Sequence, residues 1–101
     1  MSYTVTLSPR ASQELSSHVD WLVATGQDSA AERFVAHLEA TLDRLASMPT
    51  RYPPSALGIR LAGRRAAPVL WCYLVYSIDE RAGTVAVLAV LHERSRPTRI
   101  P

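Results

Sequence analysis

Residues 3–7, Tyr-Thr-Val-Thr-Leu, alternate apolar and polar side chains with the period of two of a half-buried strand. Ser8-Pro9 ends that strand and opens a helix. A serine side chain can accept a hydrogen bond from the first turn, and proline at the first helical position gives up no N–H that the helix needs. Ala11, Leu15, Val19 and Leu22 follow at spacings of three and four, which draws one apolar stripe. Gly26 is placed to close the helix in the left-handed conformation. A second helix begins at Ser29-Ala-Ala-Glu32, a capping-box spacing, with Asp28 as the rival cap. Its stripe is Ala30, Phe34, Leu38, Leu42 and Leu45, and Pro49 ends it. The short link between the helices predicts an antiparallel hairpin.

The prolines at 49, 53 and 54 predict a loop over 49–55. Strands are expected over 57–62, 69–78 and 84–92, with turns over 63–68 and 79–83. The order is strand, helix, helix, then three hairpin-joined strands. This pattern predicts a single α+β domain over 1–101, an antiparallel sheet packed on an α-helical hairpin. The later strands depart from the alternation of a sheet with one wet face, because 69–76 and 85–91 are apolar on both sides. Strict alternation assigns Leu70, Cys72, Leu74, Tyr76, Leu88 and Val90 to the helices. It leaves Val69, Trp71, Tyr73, Val75, Val85, Val87 and Leu91 on a second apolar face that needs a cover. A partner protein would supply one, as would the chain's own tail or a second copy.

Composition narrows the picture without deciding it. The chain has 101 residues, 48% hydrophobic and 20% charged, the balance of a folded domain rather than a disordered one. No apolar run reaches the ~18 residues of a membrane helix, and residues 1–7 lack the charged start and apolar stretch of a secretory signal. Cys72 is the one cysteine, which fits a reducing cytoplasm. Charge is divided unevenly. Residues 1–50 hold three arginines against six carboxylates, net −3, and residues 51–101 hold eight against three, net +5. Every basic residue is arginine, a planar fork suited to carboxylates and phosphates. The basic half therefore suits an acidic protein or nucleic acid, although a compositional bias toward arginine on a solvated surface gives the same count.

Few residues offer chemistry. His92 invites a catalytic reading, because imidazole is the side chain suited to proton transfer near neutral pH, yet it ends a strand on the side of Leu88 and Val90, where a structural histidine is the simpler reading. His18 and His37 lie on helices with no ligand spacing, and no metal or cofactor is expected. Cys72 is expected in the core, and Trp21 is read as packing. Glu93-Arg94-Ser95-Arg96 begins a short basic tail, and with Arg60, Arg64 and Arg65 it forms the best candidate binding surface.

The element order, together with Leu7-Ser-Pro-Arg-Ala11, Glu14-Leu15, Ala31-Glu-Arg-Phe34, Leu45-Ala-Ser-Met-Pro49, Gly58-Ile-Arg60, Tyr76 and Val87-Leu-Ala-Val-Leu-His92-Glu-Arg94, resembles the ParE/RelE toxin superfamily, its ParE branch in particular. That resemblance implies a toxin of a type II toxin–antitoxin system, neutralised by a cognate antitoxin (ParD-like or similar) whose C-terminal segment wraps it. ParE-like members are associated with poisoning DNA gyrase. RelE-like members instead cut messenger RNA on the ribosome with basic side chains and a late tyrosine. Here Tyr73 stands where RelE members tend to carry arginine, and the tail after Arg96 has no tyrosine. The resemblance therefore favours a binding inhibitor over a ribonuclease, with a non-toxic interaction module of the same fold as a third reading. Arg60, Arg64, Arg65, His92, Arg94 and Arg96 are the candidate target-binding residues. Val69, Trp71, Tyr73, Val75, Val85, Val87 and Leu91 are the candidate antitoxin-binding residues.

Overall fold

Ser8 adopts extended backbone angles, and its Oγ accepts the Ala11 N–H at 3.0 Å, so helix α1 (Pro9–Ala24) starts as the sequence indicates. The same hydroxyl donates to the Leu88 carbonyl at 2.9 Å, tying the helix start to the last strand. At the other end Gly26 takes φ 78°, its N–H bonds to the Val23 carbonyl, and the Gln27 N–H bonds to the Leu22 carbonyl. This paired arrangement closes α1 and turns the chain within two residues. Helix α2 (Asp28–Ser47) therefore takes Gln27 as its N-cap, ahead of both Asp28 and Ser29, with no side-chain cap. The expected Ser29 or Asp28 cap is not formed, because the turn through Gly26 already delivers the backbone in helical register and both residues fall inside the first turn. A 3-10 turn over Pro49–Arg51 follows α2, within the segment expected as loop.

The computed structural model describes residues 2–52 and 64–92. Besides the helices it contains β1 (Thr4–Leu7), β2 (Arg65–Val69), β3 (Cys72–Asp79) and β4 (Thr84–His92), in the sheet order β1-β4-β3-β2. The β2–β3 and β3–β4 pairs are antiparallel, while β1 lies parallel to β4. The helical hairpin packs on one face of this sheet around Phe34, Leu45, Leu74, Tyr76, Val85 and Val87, all fully buried. The architecture is the expected α+β one. The strand expected over 57–62 lies outside the described residues.

Two local features differ from the sequence reading. The segment read as a turn over 63–68 contains strand β2, and the hairpin turns at Leu70-Trp71 between the paired Val69 and Cys72. Leu70 has φ 54°, the left-handed conformation that a two-residue hairpin requires at its first position. Neither residue is a usual turn former, so the turn left no sequence signal. Pro68 reads as a turn residue, yet it sits in β2, the edge strand among the described residues, where its missing N–H breaks no described ladder.

The second feature is a β-bulge. Val75 pairs with Ala89 but Tyr76 pairs with Val87, so Leu88 is the extra residue on β4. One inserted residue reverses which side chains face the helices. Val85 and Val87 before the bulge, and Val90 after it, all pack against the helix-side core. Strand β1 ends opposite Val87, and α1 takes over the edge of β4 from there. The Ser8 N–H bonds to the Val87 carbonyl at 2.9 Å, and Glu14 Oε1 accepts the Val90 N–H at 2.9 Å. The bulge is thus held by two polar groups of one helix.

Candidate functional site

The seven candidate antitoxin-binding residues separate into three places. Val69, Val85 and Val87 are buried in the helix-side core, so they are not part of an outer face. The hairpin at Leu70-Trp71 moves Val69, and the Leu88 bulge moves the two β4 valines. Trp71 lies in the hairpin turn and packs toward the helices, its ring 5.8 Å from that of Phe34. Only Tyr73, Val75 and Leu91 remain on the far face, where they cluster with Ala66 and Ala89. Val75 and Ala66 are buried there, and the other three are half-buried.

Among the six candidate target-binding residues, Arg60, Arg94 and Arg96 lie outside the described residues. Arg64 is exposed. Arg65 is turned inward, and its Nη1 donates to the Tyr52 carbonyl at 2.6 Å and to the Thr50 carbonyl at 3.5 Å. Tyr76 lies opposite Arg65 on β3 and donates its hydroxyl to the Pro49 carbonyl at 2.5 Å. Arg44 completes this network by donating to Thr41 Oγ1 at 3.1 Å and to the Tyr52 hydroxyl at 3.4 Å. Three side chains thus fix the 3-10 turn against the sheet. Burial pushes the Tyr76 phenol up to about 12, with the Arg65 charge opposing that shift and Tyr52 reinforcing it. A phenol so held keeps its proton at neutral pH. Burial likewise raises the Cys72 thiol to about 11, which keeps it protonated and inert.

His92 ends β4 opposite Cys72, which lies four residues and roughly 13 Å of strand from Tyr76 along β3. It faces the helices, as read from the sequence, but its neighbours there are a second site. The His92 ring is 5.6 Å from His18 on α1, and His18 is 4.9 Å from Phe34. The Trp71 Nε1–H donates to His18 Nε2 at 2.6 Å. An imidazole nitrogen that accepts carries no proton, so His18 is neutral with its proton on Nδ1. Burial, and then the nearby His92, lower its pKa below 6.5, which favours that state.

Above this cluster opens a cleft of about 360 Å³. The end of α1 contributes Trp21 and Leu22, the start of α2 contributes Ala30 and Arg33, Gln27 lies between them, and Trp71 and His92 come from the sheet. Trp21 is 55% exposed, an unusual state for the largest apolar side chain. From the sequence Trp21 reads as packing and His18 has no role, because Trp21 adjoins Leu22 and nothing in the spacing shows that only Leu22 is buried. Among the described residues no three His, Cys, Asp or Glu side chains converge as metal ligands would. No helix among them is long and apolar enough to cross a membrane.

Comparison with known proteins agrees with this fold. The family model of the ParE toxin of the type II toxin–antitoxin system, parDE, matches residues 5–97. No curated protein matches the chain. A solved structure described as the chromosomal ParDE TA system from P. aeruginosa contains a similar chain at TM-score 0.70 and 11% identity. The match covers 89% of this chain and 95% of that one. At that identity the likeness speaks for the fold alone.

Proposed function

Since the chain belongs to the ParE toxin family of type II toxin–antitoxin systems, we propose that it is a cytoplasmic toxin that acts by binding DNA gyrase and is held inactive by a cognate antitoxin. The family match over 5–97 carries this reading. Three of the described polar side chains that could serve catalysis are instead engaged within the fold. A ribonuclease of the RelE kind needs a group to activate the ribose 2′-hydroxyl and cations near the phosphate. Here the Tyr76 phenol is bonded to a carbonyl, Arg65 is engaged with two more, and neutral His18 is held by Trp71. On this proposal Arg64 joins Arg60, Arg94 and Arg96 in meeting an acidic target. Tyr73, Val75 and Leu91 lie under the antitoxin.

Expression of the chain alone tests the target. Loss of gyrase-driven supercoiling, with accumulation of cleaved gyrase–DNA complexes, is the expected result. Messenger RNA cut within codons while supercoiling stays normal would replace the gyrase proposal with the ribonuclease one. Normal growth with both readouts unchanged would favour a non-toxic interaction module.

A further inference from the structure

Among the described residues, three exposed large apolar side chains are on the helices. Trp21 and Val23 at the end of α1, and Val35 on α2, stand among the most exposed large hydrophobics. Trp21 also forms one wall of the cleft over Trp71. Leu22, Ala30 and Trp71 give the cleft an apolar lining, and Arg33 brings it a positive charge; among the described residues no Asp or Glu lines the cleft and Arg33 has no ion-pair partner. An exposed tryptophan beside an arginine is the composition of a binding hot spot. We propose that this cleft is a second antitoxin contact, separate from the far sheet face, and that it seats one apolar side chain of the antitoxin with a neighbouring carboxylate on Arg33. The proposal rests on the toxin–antitoxin reading above.

Charge and size select this occupant. A volume of about 360 Å³ holds one or two side chains rather than a whole helix. A partner carboxylate at Arg33 gains a charge-assisted bond that water-filled space does not provide. His18 is a positioning residue here. It touches no partner, but by accepting the Trp71 N–H it holds the ring that forms the cleft floor.

Trp21 and Trp71 are the chain's two tryptophans, and both line the cleft, so fluorotryptophan incorporated into the toxin alone reports on this site. The probe is the full-length cognate antitoxin, titrated against the wild-type chain and against Trp21→Ala, Arg33→Glu and Tyr73→Glu. Both fluorine resonances should shift on complex formation. Trp21→Ala should weaken binding about 30-fold, the effect of a hot-spot residue, and Arg33→Glu should weaken it at least about tenfold, less so at high salt. Both side chains are exposed, so the variants should fold, as unchanged circular dichroism would verify. If both variants bind as the wild type does, or the resonances do not move, the cleft proposal is overturned. Loss of binding in Tyr73→Glu alone would then leave the antitoxin reading standing on the far face. A wild-type chain that binds no antitoxin would overturn both.

Discussion

Tyr76→Phe removes one oxygen from the centre of the fold and isolates the value of a single hydrogen bond. The ring of Tyr76 is fully buried, and phenylalanine keeps all of its packing. What disappears is the donor to the Pro49 carbonyl, and Pro49 is itself buried. A buried carbonyl left without its partner costs about 1–3 kcal/mol. The variant sheds a hydroxyl that no longer needs burial, so the lower part of that range applies, about 1–2 kcal/mol. In a domain of this size each kcal/mol moves Tm by about 4–8 °C, so the variant should melt roughly 5–15 °C lower. Urea unfolding followed by circular dichroism should show a lower midpoint at an unchanged slope. Alkaline pH supplies an internal check. The folded-state phenol titrates at about 12, above its ordinary value of 10.0, so its contribution is complete below pH 10 and is lost as pH rises toward 12. The deficit of Tyr76→Phe should therefore shrink over that interval. A loss below about 0.5 kcal/mol, or a deficit constant from pH 8 to 11.5, would refute the assignment of this bond as one of those that hold the 3-10 turn to the sheet.

Two further outcomes follow from the joints between α1 and the sheet. Glu14→Ala leaves the Val90 N–H beside the bulge without its acceptor, and should cost about 1–2 kcal/mol in chemical unfolding. Rapid hydrogen exchange confined to residues 88–92 should accompany it, and unchanged protection there would count against the carboxylate as the clamp. His18 has a folded pKa lowered from 6.5, so the unfolded chain takes up its proton first. Stability from this group is intact above pH 6.5 and falls as pH drops through the folded value. His18→Gln keeps an oxygen to accept the Trp71 N–H and does not titrate, so it should flatten the acid side of the urea midpoint curve; a slope identical to that of the wild type would assign the loss to other groups.

The sequence and the structure part company where a single residue changes the phase of a pattern. Helix positions were legible because their signals are redundant: Ser8, Pro9 and Gly26 mark the ends, and the spacing of Ala11, Leu15 and Leu22 marks the buried stripe. Strand faces were not, because alternation assumes an unbroken register. The Leu88 bulge and the Leu70-Trp71 turn each break it without any glycine, asparagine or aspartate to announce the break. The basic surface was legible as charge but not as geometry, since nothing in the composition separates Arg65, bound to the Tyr52 carbonyl, from exposed Arg64.

The bulge also explains why His92 meets His18. Without the extra residue, strict alternation from Val85 and Val87 would carry Leu91 to the helix side and His92 to the far face. With it, Val90 packs in the core and His92 reaches α1. Leu91 then joins Tyr73 and Val75 on the far face. The bulge on β4 therefore sends one residue to each candidate contact, His92 to the aromatic cleft on the helical side and Leu91 to the apolar patch on the other. Its two tethers are the N-cap Ser8 and Glu14 of α1, the helix whose last turns carry Trp21 and the cleft wall. A partner that seats against Trp21 is thus mechanically linked to the edge of β4, and protection of the Val90 amide should rise when the cleft is filled.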